Sequence, residues 1–307
     1  MEEIKNLIKK QVDANSIYSD GNAFEGYQKT YFSTNENIKD YLNLVNFRNK
    51  EKALTVLASG DQVFNLINKG ILNIDTFDIN KLSEYYVFGL RYALIQKYDY
   101  KTYLNVVKTL MNKNTSFEEI NDILFGLLPY MDNKYRMFWT EILNYNYNIQ
   151  KNNKTKLNLI EMLFINIQDK SYLNNYLIDE KEYNKLKNNL YRTNISYKCT
   201  NAINLDKEFT NKYDLILLSN ILDYFNNYLG KNWDLKTYID KLDKITNKDA
   251  IIFINYIHNY YSKHITRNND LIDGTGINLE DFKELIIKKL PLYNNKRIGD
   301  GIIIKKK

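Results

Sequence analysis

A chain of 307 residues, 44% hydrophobic and 26% charged, carries enough apolar surface for one large α/β domain with an insertion. Its net charge of +6 is modest and intersperses Lys with Glu, so no nucleic-acid partner is expected, and weak attraction to an acidic membrane surface is the most it supports. One cysteine, Cys199, excludes an internal disulfide, and two histidines, His258 and His264, lack a third ligand nearby, so no metal is expected.

Along the chain, residues 2–12 read as a helix and 15–35 as a loop-rich arm, which together with a helix over 36–49 make an N-terminal arm spanning 1–50. The first clear strand is Ala53-Leu54-Thr55-Val56-Leu57-Ala58, an uninterrupted apolar run of the kind covered on both faces. It stops at Ser59-Gly60-Asp61, and Val63, Leu66 and Ile67 open a helix that Gly70 closes. A second strand from Leu72 to Phe77 ends at Asp78-Ile79-Asn80, and a helix over 82–97 follows. Strand, helix, strand and helix with short links predict parallel pairing.

The stretch 98–191 shows no convincing strand and reads as a helical insertion, with helices near 100–112, 133–147, 155–167 and 180–191. A further helix opens at Thr115-Ser116, where Ser116 and Glu119 fit a capping box. The sheet does not require this insertion, which is expected to shape the pocket for a second substrate. Strand signals resume at Asn194-Ile195-Ser196-Tyr197, at Tyr213 to Leu218 and at Ala250 to Ile254. Helices are predicted over 234–245 and 279–289, and Arg297 to Ile304 reads as the turn and last strand of a terminal hairpin. The expected fold is a Rossmann-like, mostly parallel α/β sheet formed by 51–97 and 192–307, with a C-terminal antiparallel hairpin. No apolar run reaches the ~18 residues of a membrane span, and Met1-Glu2-Glu3 has no signal-peptide pattern, so a bacterial-type cytoplasm is expected. The excess of Tyr, Asn, Lys and Ile follows A/T-rich codons and is discounted as functional evidence.

Open parallel sheets bind ligands beyond the carboxyl ends of their strands, which makes strand ends the informative positions. At the first, Gly60 in Ser59-Gly60-Asp61 allows close backbone approach and a helix N-terminus supplies free N–H groups, although a plain tight turn needs the same glycine. One glycine, without the dinucleotide triplet or the P-loop Lys-Ser/Thr, argues against NAD and ATP. It suits a ligand without phosphate, such as S-adenosylmethionine. At the second end, Asp78 is placed to accept from ribose hydroxyls, or alternatively to cap a helix, with Asn80 beside it; Asp75 is a competing acid inside the strand. The third strand runs into Asn201-Ala202, next to an adenine edge. The fourth ends in Ser219-Asn220, followed by Asp223 and Tyr224, candidates for the reacting end of the cofactor or the acceptor; capping by Asn220 and core packing by Tyr224 are the alternatives. Asp273-Gly274-Thr275-Gly276 reads as a flexible loop, with a lid as the alternative.

The runs Leu54 to Asp61, Asp78-Ile79-Asn80 and Leu217 to Tyr224 resemble the S-adenosylmethionine:diacylglycerol 3-amino-3-carboxypropyltransferase family of betaine-lipid synthesis. Phe138-Trp139 falls where that family has an aromatic–Trp pair, and Tyr172-Leu173 through Leu186 to Leu190 is similar to its approach to the third strand. The likeness covers roughly 50–225, with the insertion in the same place. Lys81 stands where the family has Pro, and no fused methyltransferase domain is expected. The resemblance implies a methyltransferase-like fold, S-adenosylmethionine as cofactor, and attack on the γ-carbon of its methionine moiety with loss of methylthioadenosine.

Either that reaction or methyl transfer needs positioning, plus a base for a hydroxyl acceptor, and Asp223 is the expected base with Tyr224 orienting it. The acceptor is expected to be a lipid or small molecule. A methyltransferase, or a partner protein that binds the cofactor without catalysis, are the competing readings. By analogy with the fold, Tyr18, Phe24 and Tyr27 are lid candidates.

Overall fold

The run predicted as the first strand forms β1 (Lys52–Val56), with Ala53, Leu54 and Thr55 fully buried. It is flanked on both sides by parallel neighbours, β2 (Asn73–Asp78) and β4 (Tyr213–Leu217), and β2 in turn pairs with β3 (Asn194–Cys199). Beyond β4 lie β5 (Thr246–Ile257), β7 (Gly299–Lys306) and β6 (Leu285–Pro291), giving the order β3-β2-β1-β4-β5-β7-β6. β7 is antiparallel to both β5 and β6, so it runs against the rest. This computed structural model describes residues 30–34, 36–153, 160, 163–165, 170–221, 225, 233–257, 285–291 and 299–307, besides Asn6.

The chain steps outward from β1 to β3, then returns to lay β4 on the other side of β1. The strand order therefore reverses between β1 and β4, and a crevice at their carboxyl ends is where such sheets take ligands. The mostly parallel α/β architecture with its C-terminal antiparallel hairpin is the one the residue pattern predicts.

Two-residue alternation divides the sheet's apolar side chains between two cores. Ala53, Leu215, Leu217, Ile251 and Phe253 face one cluster, and Leu54, Ile216, Leu218, Ile252 and Ile254 the other. The second face is covered by α8 (Leu205–Glu208) and α9 (Leu235–Asp243), through Leu205, Tyr238, Ile239 and Leu242. The first face is covered by α1 (Ile38–Leu42), α2 (Asp61–Asn68), a π-helical turn over Tyr85–Arg91, α3 (Tyr92–Lys97) and the insertion.

The insertion contains α4 (Tyr100–Met111), α5 (Phe117–Phe125), α6 (Asn133–Asn153) and α7 (Glu180–Leu190). Tyr103, Phe138, Trp139, Tyr176 and Tyr183 are fully buried in the same core as β1. At roughly 1.5–3 kcal/mol per large buried side chain, they contribute on the order of a domain's whole net stability. The insertion is thus structural cover for the sheet, a larger role than its sequence predicts. Polar contacts reinforce it: Asn65 on α2 donates to Asn174 Oδ1 at 2.7 Å and accepts from the Asn175 amide at 2.6 Å. Asn68 reaches the Glu182 carbonyl at 2.9 Å.

Several elements differ from the sequence pattern. The helix expected over 279–289 is contradicted at Leu285–Pro291, which is strand β6; Ile286 and Ile287 are β-branched and the segment pairs along its length with β7. Phe164–Ile165, expected in a helix over 155–167, pairs in parallel with Thr30–Tyr31 from the segment read as loop. The helix expected over 82–97 opens as a π-turn, and that over 36–49 is a single short turn, Ile38–Leu42. Capping at Ser116 is as predicted, its hydroxyl accepting from the Glu119 amide at 3.1 Å. The predicted helix over 2–12, apart from Asn6, and the loop at Asp273–Gly276 lie outside the described residues.

Candidate functional site

At the carboxyl end of β1 the chain turns sharply. The Gly60 amide donates to the Leu57 carbonyl at 2.7 Å, Ala58 adopts φ 42° and Gly60 φ 84°. A Cβ on Gly60 would lie 2.6 Å from Val87 Cγ1 on the π-turn, so glycine is required by backbone and packing together. Gly60 is also the N-cap of α2, whose first-turn N–H groups follow directly from the β1 turn without a side-chain cap at that position. The carboxyl end of β4 repeats the feature: Ser219 has φ 58°. Left-handed non-glycine residues are uncommon, and here one sits on each side of the strand-order reversal.

Asp61 is buried and accepts four hydrogen bonds. Arg91 Nη2 (2.9 Å) and the Tyr176 hydroxyl (2.6 Å) reach Oδ1; the Thr34 amide (2.6 Å) and Ser59 Oγ (2.9 Å) reach Oδ2. Arg91 also donates to the carbonyls of Phe32 and Ser59 and to the Tyr103 hydroxyl. Burial, with Asp61 nearby, pushes the Tyr176 hydroxyl well above its ordinary range, so it stays protonated as a donor. This knot joins the 30–34 segment, the β1 loop, the π-turn and the insertion. Ser59 and Asp61 hold the loop from inside.

Asp78, at the end of β2, accepts from the amides of Ala58 (3.0 Å) and Asn80 (2.9 Å) and from Ser83 Oγ (2.9 Å). Burial raises its pKa, with these donors opposing the shift. It braces Ala58, which is in the left-handed region, at the β1 turn. Asn80 accepts from the Leu82 amide at 3.0 Å through its side chain, and from the Tyr197 hydroxyl at 2.9 Å through its carbonyl. Asp75, the competing acid, is engaged by Lys52, Ser196, Tyr213 and Asn211, and these donors hold it below the usual carboxylate range against burial.

At the end of β3, Asn201 Oδ1 accepts from the Ile203 amide at 3.1 Å, and Ala202 packs into the second core. Ser219 and Asn220 are half-buried, and the Ser219 hydroxyl lies 3.3 Å from Asn220 Oδ1. Asp223 and Tyr224, like Tyr18, Phe24 and Tyr27, lie outside the described residues. The structure thus brings Ser59, Gly60, Asp61 and Asp78 together at the β1 turn with Asn80 bonded to Asp78, while Ser219 and Asn220 follow β4 on the other side of the reversal.

A second polar chain, missed in the sequence, crosses that reversal. Thr55 Oγ1 on β1 donates to Gln62 Oε1 at 2.5 Å, Gln62 Nε2 donates to Glu36 Oε2 at 3.1 Å, and the Ser219 hydroxyl donates to Glu36 Oε1. Glu36 lies in the polar stretch before α1, where periodicity gives no sign that a carboxylate will be buried. Arg91 carried a clearer signal: a lone cation between Leu90 and Tyr92 in an otherwise apolar helical run. Among the described residues there is no cluster of three or more His, Cys, Asp or Glu suited to a metal, and no helix long and apolar enough to cross a membrane.

No family model matches the sequence, and no curated protein matches it. Solved structures with a similar fold include an S-adenosylmethionine-dependent methyltransferase from Clostridium acetobutylicum (12% identity, 87% of each chain, TM-score 0.37). Others are an O-methyltransferase from Bacillus cereus (11%, 100% of this chain and 91% of that one, 0.35) and the N-methyltransferase NodS from Bradyrhizobium japonicum (8%, 87% and 92%, 0.36). At these scores the likenesses add nothing to the site, and the fold rests on its own strand order and register.

Proposed function

We propose that the chain is an S-adenosylmethionine-dependent transferase that moves the 3-amino-3-carboxypropyl group to a hydroxyl or amine of a lipid or small-molecule acceptor. The observation that carries this reading is the convergence of Gly60, Asp78 and Ser219 at three strand ends around the reversal of strand order. A one-glycine turn with a short helix N-terminus offers few amides for a diphosphate. It suits a ligand built from a nucleoside and a charged amino-acid end.

The donor set fits that ligand. A ribose hydroxyl can replace Ser83 Oγ on the Asp78 carboxylate, while the Ala58 and Asn80 amides keep the carboxylate in place. Each hydroxyl donated to Asp78 favours its charged form against the burial that raises its pKa. Asn201 and Ala202 are assigned to the adenine edge, and Ser219 with Asn220 to the reacting end.

When bound, S-adenosylmethionine supplies a sulfonium-activated carbon. With it held there, an acceptor oxygen or nitrogen would take the γ-carbon, methylthioadenosine would be the leaving group, and a base would take the acceptor proton. Asp223 is assigned as that base and Tyr224 as its orienting partner. The resemblance over residues 50–225 supports γ-carbon rather than methyl transfer; the fold itself serves both.

Incubation with S-adenosylmethionine and cell extract tests the reading by its product. Methylthioadenosine is expected. S-adenosylhomocysteine instead would replace the proposal with methyl transfer, and cofactor binding without either product would leave a non-catalytic binding protein.

A further inference from the structure

We infer that Glu36 recognises the positive charge of the ligand's amino-acid half, so that the site selects a cationic cofactor over its neutral nucleoside product. The inference rests on the cofactor reading above and assigns a residue from outside the sheet to it. Glu36 is only 6% exposed, yet it lies before β1, in the segment bonded to the ends of both β1 and β4.

That segment is fixed at several points. Thr30 Oγ1 donates to the Ala58 carbonyl at 3.2 Å, Arg91 holds the Phe32 carbonyl, and the Thr34 amide binds Asp61. Thr34 Oγ1 then accepts from the Glu36 amide at 2.9 Å, which sets the backbone from which the carboxylate reaches across. Its two oxygens are bridged to opposite sides of the reversal: Oε2 to Gln62 on the β1 side, Oε1 to Ser219 on the β4 side.

Gln62 follows β1 on α2 and Ser219 follows β4, so the carboxylate they hold spans the reversal of strand order, where such sheets take ligands. Asp78, on the β2 side of β1, is assigned to the ribose; the ligand's amino-acid half then extends toward β4, where Glu36 and Ser219 meet. A carboxylate withdrawn from water interacts with a cation far more strongly than an exposed one. It contributes nothing comparable to a neutral thioether. Ser219, held in its left-handed conformation with its hydroxyl on Glu36, keeps the carboxylate at the crevice.

The cation has two sources in S-adenosylmethionine, the sulfonium and the α-ammonium, and three ligands separate them. S-adenosylmethionine has both, S-adenosylhomocysteine only the ammonium, and methylthioadenosine neither. Calorimetric affinities for all three are measured with the full chain and with Glu36→Gln, which keeps shape and removes charge. The expected result is a loss of roughly 10- to 100-fold for S-adenosylmethionine, with methylthioadenosine affinity within about twofold of the unsubstituted chain. An equal loss for S-adenosylhomocysteine assigns the contact to the ammonium, and no loss for it assigns the sulfonium.

Unchanged S-adenosylmethionine affinity overturns the inference. So does an equal loss for all three ligands, which would make Glu36 a support for Ser219 only. If Glu36→Gln does not fold, Glu36→Asp carries the test: its shorter reach lowers the S-adenosylmethionine to methylthioadenosine affinity ratio, and an unchanged ratio overturns the inference. Binding of none of the three by the unsubstituted chain is a different failure, that of the cofactor reading itself.

Discussion

Replacing Gly60 by alanine isolates what the β1 turn demands. Two costs are separable in the structure. At φ 84°, a Cβ opposes the adjacent carbonyl, which costs about 1–2 kcal/mol. The same Cβ would sit 2.6 Å from Val87 Cγ1 and 3.1 Å from Phe64 Cε2, and forced overpacking of this kind costs about 1–3 kcal/mol. Gly70 provides the control, because it has φ 94° but nothing within 4 Å of an added methyl group. Gly70→Ala is therefore expected to lose only about 1–2 kcal/mol, and Gly60→Ala roughly 2–5 kcal/mol. Val87→Ala in the Gly60→Ala background removes the collision, so the double variant is more stable than the two single losses added together, by about 1–3 kcal/mol. Urea denaturation of the four variants and the unsubstituted chain measures all of these. Equal losses at Gly60 and Gly70, or strict additivity with Val87→Ala, would refute the claim that the π-turn dictates this glycine.

Arg91→Met leaves the buried Asp61 carboxylate without its cation, and a loss of about 3–5 kcal/mol in denaturant unfolding is expected. Arg91→Lys should recover little of it, since one ammonium cannot span Asp61, Tyr176 and the two carbonyls. Asp78→Ala should weaken S-adenosylmethionine, S-adenosylhomocysteine and methylthioadenosine alike, about tenfold or more; unchanged affinity would remove the ribose assignment. Asp214 lies at the start of β4, where burial would raise its pKa. The Glu51 and Lys52 amides, with the Asn247 side chain, outweigh burial and hold it below its ordinary 3.8. A depressed carboxyl contributes stability above its unfolded pKa and loses it as pH falls through the folded one. Asp214→Asn should therefore flatten part of the acid limb of a stability–pH curve below about pH 4, and an unaltered limb would count against those hydrogen bonds.

The fold was legible where burial and periodicity coincide. β1, β4 and β5 are built on apolar stretches, with Leu215–Leu218 and Ala250–Ile254 uninterrupted, because helices cover both faces of the sheet, and the split of Leu215 and Leu217 from Ile216 and Leu218 is ordinary strand alternation. Legibility failed where pairing decides conformation. Leu285 to Pro291 is apolar enough for either a helix or a strand, and only the antiparallel partner β7 makes it a strand. Thr30–Tyr31 and Phe164–Ile165 are too short to show any period, and they exist because each supplies the other's hydrogen bonds.

The site divides in the same way. Gly60, Asp78 and Ser219 could be found because they follow apolar strands, and strand ends are fixed by local pattern. Glu36 meets Gln62 and Ser219 across 26 and 183 residues of chain, and Arg91 meets Phe32 across 59, distances over which sequence carries no periodic signal. Their arrangement nonetheless has a consistent physical logic. Asp61, the carboxylate nearest the β1 turn, draws its donors from the turn itself and from the segments packed behind it, and with them it fixes the loop. Glu36 accepts from Gln62 on the β1 side and from Ser219 on the β4 side, so its carboxylate bridges the reversal. Where its protein donors stand separates the acid that fixes the loop from the acid that spans the reversal.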